Sequence, residues 1–226
     1  MATLHFRSTP AGKALGYAEI MRLPLPESTL PVMVTLDPTA PMSADEFWEF
    51  CVSNPDLRFE RSAAGEIIIV PPAGGETDYR SIEVAGELRN WSKRNRQGTA
   101  FGSTAAFILP SGAVYSPDAA WVSNERLQKL TAAERRKFLK VIPEFIAQVM
   151  SPTDRLKAAQ AKMREWMENG VELAWLFDSG NKTVYIYRAG QAEPEQHKGG
   201  STLAAEGSLQ GFELDLDDIW DGLASL

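Results

Sequence analysis

The chain has 226 residues, a net charge of −7 and 44% hydrophobic residues, values typical of a globular protein with one sizeable core. The negative charge argues against a general nucleic-acid coat protein, but it does not exclude a metal-dependent enzyme that acts on a phosphodiester. A single cysteine, Cys51, excludes an intrachain disulfide and a cysteine-based zinc site. Only two histidines occur, His5 and His197, which disfavours Ser-His-Asp triads, zinc-protease helices and histidine-metal nucleases.

No apolar run approaches the roughly 20 residues that span a bilayer. Pro24, Pro26 and Pro31 interrupt the apolar stretch that a signal peptide would need. We therefore expect a cytoplasmic protein without a membrane partner.

Residues 1–41 are rich in Pro and Thr, and we interpret them as an irregular N-terminal extension with at most a short strand at 31–36. Residues 42–226 form the predicted folded domain. Its first helix starts at a capping box made by Ser43 and Glu46.

The elements that follow point to a mixed α/β (α+β) layout rather than a regular doubly wound sheet. "LRFERSAAGEIIIVPP" predicts a β-hairpin, and a long helix is expected from about Thr77 to a stop at Gly98. Further on we expect strands at 104–109 and 113–122, a charged helical stretch at 123–140, a strand at 144–150, a helix at 153–169, the strands "ELAWLFD" and "TVYIYR", and a short acidic helix near 215–223.

Asp118 is a carboxylate within the otherwise hydrophobic segment "AVYSPDAAWV". Period-two alternation places Val114, Asp118 and Val122 on one face of the predicted strand. An isolated aspartate in such a place is as often a bulge cap or a surface ion-pair partner as a functional group.

Gln148 is a second polar residue inside an apolar strand, "FIAQVM", where an uncompensated amide would be costly. On the following helix, Leu156, Met163 and Trp166 belong to a buried stripe, and Lys162 lies roughly 90° from its centre. A flanking lysine can extend its ammonium towards the sheet edge, although a solvated lysine is the commoner case.

The stretches "LRFERSAAGEIIIVPPAGGET", "LPSGAVYSPDAAWV", "SPTDRLKAAQAKMREWMENGVELAWLFD" and "VYIYR" together resemble the Uma-two family of restriction endonucleases, a branch of the PD-(D/E)XK nuclease superfamily. The resemblance covers roughly residues 43–222. It implies a restriction-endonuclease-like core, in which a central mixed β-sheet is flanked by helices and a magnesium site, also able to take manganese, lies at one sheet edge.

The resemblance assigns roles to individual residues. Asp118, in Pro117-Asp118, matches the main metal-ligating carboxylate, Gln148 stands where the family has a second acid, and the Val149 carbonyl would be a further ligand. Lys162 matches the catalytic lysine, which would steady the attacking hydroxide. Glu83 matches an acid often found near the metal, although helical geometry gives it no independent support.

Gln148 is the departure from the family pattern, because it keeps an oxygen ligand and loses a negative charge that Mg²⁺ favours. Three explanations stay open. The site works with an amide ligand; another acid compensates, with Asp154 the nearest candidate and Glu144 too distant at about 13 Å along the strand; or the site is inactive.

The expected function is therefore that of a metal-dependent DNA endonuclease. The alternative is a catalytically inactive nuclease-fold protein that binds DNA or a protein, and a third hypothesis is a small-molecule phosphodiesterase. A homodimer would suit the cutting of two strands, but no residue argues for one. The basic runs Lys93-Arg94-Arg96 and Arg135-Arg136-Lys137-Lys140 could touch a DNA backbone, although such runs are more often solvated helix faces.

Overall fold

The computed structural model describes residues 42–225 together with the backbone of residues 2–4, 21–23 and 35–36, so that His5 lies outside the described residues. The strands, in chain order, are β1 (Ala2–Leu4), β2 (Met21–Leu23), β3 (Thr35–Leu36), β4 (Arg58–Arg61), β5 (Ile67–Val70), β6 (Gly98–Gly102), β7 (Phe107–Ile108), β8 (Val114–Tyr115), β9 (Ala119–Ser123), β10 (Phe145–Val149), β11 (Leu173–Asp178), β12 (Thr183–Arg188), β13 (Glu195–Lys198), β14 (Thr202–Ala204) and β15 (Glu213–Asp215). The α-helices are α1 (Ala44–Ser53), α2 (Gly75–Asn95), α3 (Asn124–Gln128), α4 (Leu156–Glu168) and α5 (Asp217–Asp221).

The chain divides into two compact units, each made of two segments. Unit 1 comprises residues 1–72 and 111–115, and unit 2 comprises residues 73–110 and 116–226. This division does not coincide with the predicted boundary after residue 41, and the assignment of 1–41 as an extension of one domain stays a prediction.

Unit 1 contains the predicted hairpin, with β4 and β5 antiparallel and Gly65 at a positive φ of 90° in the turn. On its other side β4 pairs with β8, and β3, within the strand expected at 31–36, pairs with β5. The capping box is also confirmed, because Ser43 Oγ accepts from the Glu46 amide at 3.2 Å and Glu46 Oε2 accepts from the Ser43 amide at 2.9 Å.

A buried arginine joins three segments of unit 1. Arg61, 5% exposed, donates from Nη1 to the Met42 carbonyl at 2.7 Å and from Nη2 to the Gly112 carbonyl at 2.7 Å. Its guanidinium also lies 5.3 Å from the centre of the Phe47 ring. Burying a charge is costly unless the charge is hydrogen-bonded, and these carbonyls supply the bonds. Arg61 thereby holds the start of α1 and residues 111–115 against β4.

Unit 2 is built on a six-stranded mixed sheet in the order β13-β12-β11-β10-β9-β6. Strands β10 and β11 are parallel, with α4 as the connection, and the other neighbours are antiparallel. Helix α2 packs on β6, β9 and β10, and α4 packs on β11 and β12. The predicted central mixed sheet flanked by helices is confirmed.

The core of unit 2 is rich in aromatic side chains. Trp175 stacks on Phe212 with 5.7 Å between ring centres, and Phe145 meets Trp175 edge-on at 5.0 Å. Trp91, Trp121 and Trp166 are also at most 5% exposed. No helix within the described ranges is long and apolar enough to cross a bilayer.

The strand predicted over 113–122 is wrong as a single element. It is broken into β8, which belongs to the unit 1 sheet, and β9, which belongs to the unit 2 sheet. Pro117 lacks an amide hydrogen and lies in the break, so the expected alternation along one face does not continue through Asp118. The strand expected at 104–109 is confined to β7.

Helix α2 ends earlier than expected, because Arg96, with φ of 62°, takes the left-handed position that the sequence assigned to Gly98. Gly98 instead begins β6, a strand that was not predicted from the sequence. A Cβ at residue 98 would overlap the Trp121 ring and the Val122 carbonyl. The glycine is therefore required by the close approach of β6 to the Trp121 ring and the backbone of β9, and not by the end of the helix.

Candidate functional site

The site lies where β9 begins and β10 ends. Asp118 occupies a bend directly before β9 and is half-buried. The antiparallel register pairs Phe145 with Trp121 and Ala147 with Ala119, so one further step places Gln148 opposite Asp118. Two neighbouring antiparallel strands thus bring the two polar residues together at one end of the sheet.

Two donors converge on one oxygen of Asp118. Gln148 Nε2 donates to Asp118 Oδ2 at 2.6 Å, and the Val149 backbone amide donates to the same oxygen at 2.7 Å. Hydrogen bonds to a carboxylate are shorter and stronger than those between neutral groups. The bend and these two bonds fix the position of the Asp118 carboxylate against β10.

The amide of Gln148 is satisfied on one side only. Its Nε2 binds Asp118, but its Oε1 is buried without a hydrogen-bond partner. A buried acceptor left unpaired costs about 1–3 kcal/mol, and such atoms in a native fold call for an explanation. Gln148 is therefore not a fully satisfied core amide.

The oxygen atoms at this site suit a hard cation, but only one of the groups that supply them is a carboxylate. The two oxygens of Asp118, Gln148 Oε1 and the Val149 carbonyl are the kind of oxygen ligand that Mg²⁺ takes, with water and substrate phosphate completing its shell. Among the residues described, no group of three or more His, Cys, Asp or Glu side chains could hold a metal ion. Gln148 would have to turn its amide over to present Oε1, because Nε2 now faces Asp118.

The other two candidate side chains lie on the flanking helices. Glu83 is half-buried on α2, where desolvation, the Asp218 charge and, least, the Glu83 charge raise the pKa of Tyr79. Lys162 is half-buried on α4. The structure brings Asp118, Gln148 and Val149 into direct contact, and the catalytic roles of Glu83 and Lys162 stay predictions.

The acids considered as replacements for the missing charge are engaged elsewhere. Asp154 is exposed, and its Oδ2 accepts from the Ser151 amide at 2.8 Å within the turn after β10. Glu144 precedes the opposite end of β10, where it accepts from the Ser123 amide and pairs with Arg126, each at 3.0 Å.

The backbone amide of Val149 is a site group that the sequence did not predict, since only the carbonyl of that residue was expected to take part. The signal that could have revealed the amide is the antiparallel neighbour relation of β9 and β10. Only this relation shows that the donors of β10 face the bend at Asp118.

Comparisons with known proteins bear on the fold and the family. The chain is similar to a solved structure from Anabaena variabilis ATCC 29413 described as "a putative nuclease belonging to DUF820", with 20% identity over 80% of this chain and 98% of that chain and a TM-score of 0.66. At this identity the likeness concerns the fold, and it confirms the predicted nuclease-like core. No curated protein matches the chain.

The model of the Uma2 family, described as "Putative restriction endonuclease", matches residues 44–217, which is most of the chain and agrees with the resemblance over 43–222. By this match, the protein belongs to the Uma2 family.

Proposed function

We propose that this protein is a metal-dependent nuclease that hydrolyses phosphodiester bonds in DNA, with Asp118 and Gln148 at its centre. The observation that carries the proposal is the contact of 2.6 Å between Gln148 Nε2 and Asp118 Oδ2 at adjacent strand ends, beside a buried oxygen that lacks a partner. A cation between the two side chains would give that oxygen a ligand role.

Each residue has a distinct part in the proposed reaction. Asp118 supplies the full negative charge towards Mg²⁺ or Mn²⁺, and Gln148 Oε1 and the Val149 carbonyl supply neutral oxygens. A bound divalent ion would generate a hydroxide nucleophile near neutral pH and neutralise charge on phosphorus. Lys162 would offer its ammonium to the phosphoryl oxygens, where charge develops.

The missing acid should weaken the binding of the metal ion. A site with one carboxylate holds Mg²⁺ weakly unless substrate phosphates join the coordination. We therefore expect metal binding and cleavage to be weaker in the wild type than in the variant Gln148→Glu.

The test compares the wild type with Asp118→Ala, Gln148→Glu and the matched control Asp154→Ala. Mn²⁺ binding is measured by calorimetry, and nicking of supercoiled plasmid is measured in Mg²⁺ and Mn²⁺. The proposal expects nicking that disappears in Asp118→Ala and persists in Asp154→Ala. Activity that survives Asp118→Ala would remove this site from the reaction.

A second candidate function is that of a nuclease-fold binding protein without activity. It is favoured by the hydrogen bond that Gln148 Nε2 donates to Asp118 Oδ2, because this bond takes up an oxygen that would otherwise be open to a metal ion. This candidate predicts no metal binding and no nicking in the wild type, with both appearing in Gln148→Glu. Turnover of a small phosphodiester without plasmid nicking would instead support the small-molecule hydrolase.

A further inference from the structure

The fold places two basic runs of the sequence near the β6 edge of the unit 2 sheet. Both are exposed on the described surface, and neither contains an acidic residue. We call them together the basic ridge, which consists of Lys93, Arg94, Arg96, Arg135, Arg136, Lys137 and Lys140.

Helix α3 links the two runs. Asn124, its first residue, donates from Nδ2 to the Arg96 carbonyl at 2.9 Å and from its backbone amide to the Gln97 carbonyl at 2.8 Å. At the other end of α3, Arg135 Nη2 donates to the Leu127 carbonyl at 3.2 Å. The end of α2 and the segment after α3 are therefore both tied to α3, beside β6 at the edge of the sheet.

The second run extends along β6, which is an edge strand of the six-stranded sheet. A cavity lined by Thr99, Phe101, Leu127 and Arg135 lies between β6 and this segment. Near the end of the run, Leu139 exchanges backbone hydrogen bonds of 2.9 Å with the segment of Ala106 and Ile108, just beyond β6.

The second run leads along β6 towards the candidate site. Strand β6 pairs Gly98 with Ser123 at its start and Gly102 with Ala119 at its end. Asp118 directly precedes Ala119, so the ridge starts near one end of β9 and Leu139 reaches the region of the other end. The length of chain from Asn124 back to Asp118 corresponds to about 20 Å, or about six base-pair steps of 3.4 Å.

The charge of the ridge contrasts with that of the chain. The whole chain carries −7 and the ridge carries seven positive charges, so the remaining residues carry a net −14. Glu134, the acid adjacent to the second run, accepts hydrogen bonds from the amide and hydroxyl of Thr131, each at 2.8 Å. A polyanion would be repelled by most of the molecule and attracted along this one edge.

We propose that the basic ridge binds the phosphate backbone of duplex DNA and directs the duplex towards Asp118. The choice of DNA as the polyanion rests on the proposed function. The binding itself requires no metal ion, which allows the two proposals to be tested separately.

The test measures binding of a fluorescent duplex of about 20 base pairs by anisotropy, in EDTA, between 50 and 200 mM salt. The ridge variant is Arg94→Ala/Arg136→Ala. The matched control, Lys182→Asn/Lys198→Ala, removes two exposed charges near β12 and β13, at the opposite edge of the sheet, and asparagine tolerates the left-handed backbone of residue 182.

We expect the ridge variant to bind roughly tenfold more weakly and to reduce the slope of log K against log salt by about 1.8, or about 0.9 per lost phosphate contact. The control should bind as the wild type does, and all three proteins should melt at the same temperature. Equal binding by the ridge variant, or an equal loss in the control, would overturn the proposal.

Asp118→Ala separates this proposal from the nuclease. If Asp118→Ala and the wild type bind the duplex equally and neither protein nicks plasmid, the ridge is supported while the nuclease is refuted. If the wild type nicks plasmid and the ridge variant binds the duplex as tightly as the wild type does, the nuclease is supported while the ridge is refuted.

Discussion

Gln148 and Asp118 share a hydrogen bond of 2.6 Å between Nε2 and Oδ2, at a place where the family pattern has two acids. The glutamine therefore provides a donor to a carboxylate that would otherwise face a like charge. This arrangement stabilises the sheet end, and it does so by occupying an oxygen of Asp118, the proposed metal ligand.

Gln148→Glu is expected to lower the stability of the metal-free protein and to strengthen metal binding. Without metal, the paired carboxylates should repel and lower the free energy of unfolding by about 1–3 kcal/mol at pH 7. The loss should diminish as the pH falls towards 4, because protonation of one carboxyl restores a donor. Thermal melting with EDTA or with Mn²⁺ measures both effects, and Mn²⁺ should raise the melting temperature. Gln148→Ala serves as the control and should lose stability with little response to Mn²⁺; an equal response in both variants would contradict the explanation.

Gly98→Ala is expected to be severely destabilising, by about 3 kcal/mol or more, since the added methyl group overlaps the Trp121 ring and the Val122 carbonyl. Gly86→Ala is the matched control, because Gly86 lies inside α2 and a Cβ there meets no atom within 4 Å. That change should stabilise the protein by up to about 1 kcal/mol. Chemical denaturation measures both, and equal stabilities of the two variants would refute the close-contact argument.

Cys51 is expected to be unreactive in the folded protein. Burial raises the pKa of its thiol to about 12, and the Arg61 charge opposes this only in part. At pH 8 the thiolate should be about a thousandfold rarer than in the unfolded chain, where the pKa is about 9 or slightly below. A colorimetric disulfide exchange assay, with and without denaturant, measures the ratio of rates.

The same shift has a consequence for stability. Because folding raises the pKa of Cys51, its contribution to stability is complete below about pH 9 and is lost as the pH rises towards 12. Cys51→Ser should lessen the loss of stability over this interval. An identical alkaline profile for wild type and variant would show that the thiol does not titrate as described.

Glu144→Gln is expected to destabilise the protein by about 3 kcal/mol, because the Glu144 side chain is 5% exposed and its loss of charge leaves part of the Arg126 guanidinium without a buried partner. Arg126 also pairs with Glu172 at 2.6 Å, which limits the effect. The control is Glu125→Gln, whose partner Lys129 lies on an exposed face, and we expect at most about 0.5 kcal/mol there. Similar losses in the two variants would contradict the role of burial.

The sequence predicted the elements whose signals are local. The capping box at Ser43, the hairpin turn at Gly65 and the apolar strands β11 and β12 required no knowledge of distant residues. The family resemblance supplied the mixed sheet and brought Asp118 and Gln148 to one place. Their roles with a metal ion stay predictions.

The failures have tertiary causes. The segment 113–122 is mostly apolar on both sides of Asp118, and nothing local shows that its first part pairs with β4 and its second part with β6 and β10. Gly98 resembled a helix stop because glycine is common there, whereas the reason for it is the Trp121 ring, more than 20 residues away. The donor role of the Val149 amide likewise depends on which strands are neighbours.

The hydrogen-bond partners of Arg61 have a consequence for dividing the chain into two fragments that reassociate. A break after Pro72 would leave Arg61 on the shorter fragment, while the carbonyl of Gly112 and the strand partner Val114 would remain on the longer one. The shorter fragment would then carry a guanidinium short of acceptors, and the strands of the unit 1 sheet would be divided between the two pieces. The shorter fragment should be poorly folded when separate, whereas the longer one keeps all of unit 2. Mixing the two should restore unit 1, which would make this loop a suitable position for a split-protein reporter.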